Sequence, residues 1–165
     1  MSIVSYIDVR DKNVVSWYED WQWLVDASDL QKPILMSMFG DLVYQNQADD
    51  IVFLDVSAGV VEHIAHNLSE LQAILNDPSM REKLLLHSLV EDLVAQGLVL
   101  DTAQLYSFKI PLHLGGDLAF ENVEVIDQEV ALSILGQIHE QTRDLEPGAQ
   151  VEGFGVKKQL TNRMG

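Results

Sequence analysis

No cysteine occurs among the 165 residues. Disulfides, thiolate nucleophiles and cysteine-ligated zinc are thereby excluded. Positive charge is also scarce. None lies between Lys32 and Arg81, and from Lys83 to Lys157 only Lys109 and Arg143 intervene. No apolar run approaches the roughly 20 residues a membrane-spanning helix needs. The N-terminus Met1-Ser2-Ile3-Val4-Ser5-Tyr6 has neither the basic nor the apolar segment of a signal peptide. Catalytic signatures are missing as well: there is no Gly-x-Ser-x-Gly elbow, and Gly115-Gly116 runs into Asp117 rather than into Lys-Ser/Thr. These absences predict a cytoplasmic protein with no membrane segment, no metal and no cofactor.

What is present is acid and aliphatic side chain. The formal net charge is −16, and residues 1–156 hold 26 acids against 7 bases, a balance of −19. Hydrophobic residues make up 47% of the chain, enough to exclude the disorder that acidity alone would suggest. A body this negative repels nucleic acid and anionic lipid and attracts basic proteins over long range.

The periodicity predicts an α+β fold, an antiparallel-dominated β-meander packed against several α-helices in a single domain of residues 1–150. Residues 151–165, with Lys157, Lys158 and Arg163, are expected to form a mobile basic tail. Asn13 is placed to cap a helix over 14–25, whose face is Trp17, Trp21 and Leu24 with Tyr18 and Trp23 at its edges. Three tryptophans in seven residues can form a stacking platform, but an anchor for the core is the simpler reading.

After Pro33, strands are expected over Ile34–Phe39, Asp41–Gln45, Ile51–Asp55 and Val60–Ala65, separated by short turns that require antiparallel pairing. Asn67 or Ser69 caps a helix through Leu75, and Pro78 opens a longer one running to Gln96 and stopped at Gly97. Residues 105–110 and 122–126 read as strands, and Asp127 caps a last helix; residues 34–145 together hold the sheet and these helices.

The histidines form no recognisable site. His63 and His66, at the end of a strand, are expected on opposite faces. His87 is an i,i+4 partner of Glu91, and His139 and Glu140 point about 100° apart on a helix. His113 near Asp117 matches no zinc spacing. Asp49, Asp50 and Asp55 read as turn and strand-end residues rather than a calcium loop.

Several ordered segments nonetheless resemble a known family. They are Asp20-Trp21-Gln22-Trp23-Leu24, Lys32-Pro33, Phe39-Gly40-Asp41-Leu42, Phe53-Leu54-Asp55-Val56 and Tyr106-Ser107-Phe108-Lys109. Gly115-Gly116, Asn122, Asp127 and Gly136-Gln137-Ile138-His139-Glu140-Gln141 follow. Over residues 15–145 the chain is similar to the C-terminal domain of type VI secretion immunity proteins, which often follows a GAD-like domain. The resemblance implies a non-enzymatic cytoplasmic protein that binds and neutralises a toxin, a nuclease, and the charge independently favours a basic partner.

Partner contacts are then expected at acids outside the core faces: Asp49, Asp50, Asp117, Glu121 and Glu124. No catalytic residue, metal ligand or cofactor is expected. The alternative is a small-molecule-binding or enzymatic domain with a pocket near His113, Gly116 and His139, and a third possibility is a homodimeric scaffold.

Overall fold

The computed structural model describes residues 4–145. Its centre is an antiparallel meander of β1 (Tyr6–Asp8), β2 (Lys32–Ser37), β3 (Leu42–Gln45), β4 (Ile51–Asp55) and β5 (Val60–Ala65), paired in chain order. A second antiparallel pair joins β6 (Gln104–Phe108) to β7 (Val123–Asp127). The helices are α1 (Leu68–Asn76), α2 (Pro78–Leu85), α3 (His87–Ala95) and α4 (Gln128–Thr142). The α+β meander read from the sequence is borne out. The expected tail, residues 151–165, lies outside the described residues.

Turn chemistry sets the meander. Asn46 accepts backbone N–H bonds from Ala48 and Asp50, which closes the β3–β4 turn around Asp49 at φ 66°. Asp55 does the same for Ser57 and Ala58 before Gly59. The central strands are buried on both faces, so their sequences run apolar instead of alternating. Leu35, Val43, Ile51 and Phe53 pack with Leu71, Leu84 and Leu85 of α1 and α2. Met36, Leu42, Tyr44, Val52 and Leu54 face the other way, onto Tyr18, Trp21 and Leu132.

Two expected helices take a different form. Residues 14–25 do not make an α-helix; a 3-10 helix covers Val15–Trp21, kinked at Tyr18 (φ −108°, ψ 26°). Asn13 still accepts the N–H of Val15. With three residues per turn, Tyr18 and Trp21 share one side. Tyr18, expected at an edge, is therefore fully buried, and its hydroxyl donates to the carbonyl of Gly40 at 2.7 Å.

The expected long helix from Pro78 to Gln96 breaks at Leu86, which adopts a left-handed conformation (φ 51°, ψ 44°). Such a residue costs about 1 kcal/mol. Glu82 offsets this by accepting from both the N–H and the hydroxyl of Ser88. The break also lets Leu84 and Leu85 join one core cluster while Leu86, Val90 and Leu93 join another.

Everything meets at the turn between β2 and β3. Ser37 donates its hydroxyl to Asp41 Oδ2 (2.7 Å) and accepts from the N–H groups of Phe39 and Asp41; Val56 N–H donates to Asp41 Oδ1 (2.9 Å). The second sheet attaches here, where Tyr106 N–H donates to the carbonyl of Met38. Burial of the Asp41 carboxyl and the nearby Asp55 charge push its pKa up to about 7, against the pull of its bonds from Ser37 and Val56.

Gly40 sits at φ 97°, and a Cβ there would meet Leu132 Cδ2 at 2.9 Å and Leu105 Cδ1 at 3.1 Å. Gly40→Ala thus combines left-handed strain with overpacking, and it is expected to cost about 2–4 kcal/mol in urea unfolding. A change below 1 kcal/mol would show that the turn gives way freely.

Candidate functional site

The alternative pocket supplies the first geometry to examine. Helix α4 carries His139 into the core, 5% exposed, with its ring centroid 5.5 Å from that of Trp21. His113, on the 3-10 turn Leu112–Leu114, stacks on it with centroids 3.9 Å apart and planes at 24°. The structure therefore brings together two of the three residues named for that pocket. Each ring makes a polar contact through its Nε2, however. His139 Nε2–H donates to the carbonyl of Val56 at 2.9 Å, and its Nδ1 lies against Gly59, where a Cβ would stand 2.4 Å away. His113 Nε2 lies 3.3 Å from Thr142 Oγ1, whose hydroxyl donates to the carbonyl of Ile138.

Burial lowers the His139 pKa to about 4, and the neighbouring His113 adds to the shift. Burial lowers that of His113 as well. The two stacked rings, both shifted towards the neutral form by burial, fasten a turn to a helix.

Gly116, the third residue, is enclosed by the carbonyl of Ile110 and the side chain of Asn122, with no room for a Cβ. One groove of 580 Å³ lies between β1, β2 and α1, lined in part by Arg10, Lys32, Ile34 and Leu68. Another, of 560 Å³, is floored by Ile7, Val9, Met36 and Met38 and reaches Asp127 and Glu129. None of His113, Gly116 and His139 lines either one.

The tryptophans are anchors. Trp21 Nε1–H donates to the carbonyl of Leu132 and Trp23 Nε1–H to that of Gly136, where the backbone of Asp20 approaches so closely that a Cβ on Gly136 would lie 2.6 Å from it. His63 and His66 need a correction. They converge on one carboxylate instead of facing apart, with His63 Nδ1 3.8 Å from Asp50 Oδ2 and His66 Nδ1 3.6 Å from Asp50 Oδ1. A register shift at Ile51/Val52, and the position of His66 beyond the end of β5, undo the strand alternation. Among the described residues no cluster of three or more His, Asp or Glu is placed to hold a metal ion.

The five expected contact acids fall into two groups. Asp49 and Asp50 form the tip of the β3–β4 hairpin, where Asp49 pairs with Lys32 Nζ at 3.1 Å and Asp50 is half-buried beside the two histidines. Asp117, Glu121 and Glu124 are exposed on the β6–β7 connection and on β7. That connection belongs to the sheet attached at the Ser37–Asp41 turn, the opposite end of β3 from the tip. Among the described residues none of these three acids pairs with a lysine or arginine.

Asn122, read as the start of a strand, instead ends a 3-10 turn and ties the connection together. Its Oδ1 accepts from Ile110 N–H, and its Nδ2 donates to the carbonyls of Ile110 and Asp117, each at 2.9 Å. Ile110 and Leu118 emerge beside this knot, 56% and 55% exposed. The strand expected over 105–110 stops at Phe108, which leaves Ile110 outside it, and Leu118 lies where the chain is neither strand nor α-helix.

Comparison with known proteins agrees with the resemblance read from the sequence. Residues 65–139 match the family model described as type VI secretion system (T6SS) immunity protein Tdi1, C-terminal. The match is narrower than residues 15–145 and includes Asp117, Glu121 and Glu124 but not Asp49 or Asp50. No curated protein matches the chain. Among solved structures, Atu4351 from Agrobacterium tumefaciens is similar in fold, with a TM-score of 0.50 at 18% sequence identity over 76% of this chain. The similarity spans 65% of that protein's length.

The buried groups His139 and Asp41 have opposite linkage. His139 has a depressed folded pKa, so the stability it contributes is present above about 6.5 and is lost as pH falls towards about 4. Asp41 has a raised folded pKa, so its contribution is present below about 3.8 and is lost as pH rises through about 7. Between pH 7 and 4.5, His139→Gln should remove the acid-labile part, so that the variant gains about 2 kcal/mol relative to wild type on acidification. Urea midpoints at several pH values test this, and parallel curves would contradict it.

Proposed function

We propose that this chain is an immunity protein: in the cytoplasm it binds a toxin and neutralises it without chemistry of its own, and its acidic surface selects a basic toxin, a nuclease. The observation that carries this reading is the match of residues 65–139 to the Tdi1 C-terminal family. Charge supports the finer part. A nuclease must present a positive cleft to phosphate, and a protein of net charge −16 can occupy such a cleft as a polyanion. Three of the exposed acids lie inside the matched segment, Asp117 and Glu121 on the connection held by Asn122 and Glu124 on β7. Among the described residues no helix is long and apolar enough to cross a membrane, in keeping with a partner met in solution.

Attraction of this kind acts mainly on the association rate and is screened beyond about 8 Å at physiological salt. The toxin encoded beside this chain's gene, catalytically inactivated, should therefore associate on the order of tenfold faster at 50 mM than at 500 mM NaCl. Asp117→Asn, Glu121→Gln and Glu124→Gln together should flatten that dependence. Stopped-flow association that ignores salt would remove charge as the basis of recognition.

A further inference from the structure

Beyond the general attraction of an acidic body, we propose that the β6–β7 connection is the contact surface for the toxin. In this assignment Ile110 and Leu118 are the apolar anchors, and Asp117, Glu121 and Glu124 form the rim that selects an apolar side chain flanked by lysine or arginine. This rests on the immunity reading and adds a location and a partner chemistry to it.

The connection combines three properties of a binding centre. It exposes aliphatic side chains without water-soluble purpose: Ile110 and Leu118 are each more than half exposed. Their backbones are held close together, since one Asn122 amide group donates to the carbonyls of both Ile110 and Asp117 at 2.9 Å, and Leu118 follows directly. The surface is also ordered in advance. Asn122 makes three side-chain bonds within the connection, Gly116 closes against the Ile110 carbonyl, and the His113–His139 stack fixes the turn between them. A partner then loses little affinity to loop ordering.

Finally, the rim is predominantly acidic. Residues 107–124 hold three acids against one base, Lys109, and the three acids have no lysine or arginine partner among the described residues. Apolar centre and charged rim together are the anatomy of an interface whose centre supplies affinity and whose edge supplies selection.

The other surfaces fit a basic partner less well. At the hairpin tip Asp49 is already engaged by Lys32. The 580 Å³ groove carries Arg10 and Lys32 on its wall, the wrong sign for a cationic ligand. In the 560 Å³ groove, Asp127 and Glu129 already have interactions of their own.

The test measures binding of the inactivated toxin to Ile110→Ser and Leu118→Ser, with Leu68→Ser and Val99→Ser as controls at exposed aliphatic positions elsewhere. Each of the first two should raise Kd about tenfold, mainly through faster dissociation, and the controls should not. Leu118→Lys, which places like charge against a cationic partner, should weaken binding more than Leu118→Ser. If wild type binds and all four serine variants bind equally, this surface is wrong while the immunity reading stands. If wild type does not bind the toxin, both fall. A wild-type dimer in light scattering that Ile110→Ser dissolves would assign the surface to a second copy and overturn the proposal.

Discussion

A single buried carboxylate ties this molecule together. Asp41 receives hydrogen bonds from Ser37 within its own turn and from Val56 at the end of β4, so one side chain fixes a hairpin turn and the exit of the next strand. Beside it the carbonyl of Gly40 takes the Tyr18 hydroxyl, and the space a Cβ would occupy is filled by Leu105 and Leu132. Four separate parts of the chain thus close on five residues. The arrangement tolerates a carboxylate away from water because its oxygens are occupied by donors. Each donor would be left unpaired in the interior if the carboxylate were lost.

The strands were readable because their turns carry their own chemistry. Asn46, Asp55 and Gly59 specify reversals whatever surrounds them, and the order of the meander follows from the shortness of those links. The helices were readable where caps were local: Asn67 and Asp127 accept the expected N–H bonds, while Asp77, just ahead of the expected start at Pro78, caps α2 by accepting from Ser79. Failures came where tertiary contacts outweighed local preference. Leu85-Leu86 and Leu89-Val90 continue a helical period without interruption, so nothing nearby reveals that two core clusters claim the two halves. Residues 14–25 have an acceptable α-helical face in Trp17, Trp21 and Leu24, but the deep site for Tyr18 goes with a tighter winding over Val15–Trp21.

Sites were less legible than elements. The sequence identified acids as the signal and named five, but their division into a hairpin tip and a β6–β7 group depends on which end of the sheet each turn occupies. The histidines illustrate the same limit. His113 and His139 lie 26 positions apart in the sequence and meet as stacked rings, whereas His63 and His66 are close in sequence yet converge through a register shift that spacing does not encode. The resulting picture is of polar side chains spent inside the fold on holding turns and loops still.

The anchoring of α4 by the tryptophans bears on how the chain reaches this state. Trp21 and Leu132 are 111 residues apart, and the bonds from Trp23 to Gly136 and from Ser133 to Asp20 each span 113. A ribosome adding about 5–20 residues each second releases the meander several seconds before the helix that covers one of its faces. During that interval Met36, Leu42, Tyr44, Val52 and Leu54 have no α4 to pack against. That face of the core closes only when α4 arrives, and a net charge of −16 makes neighbouring half-made chains repel one another while they wait.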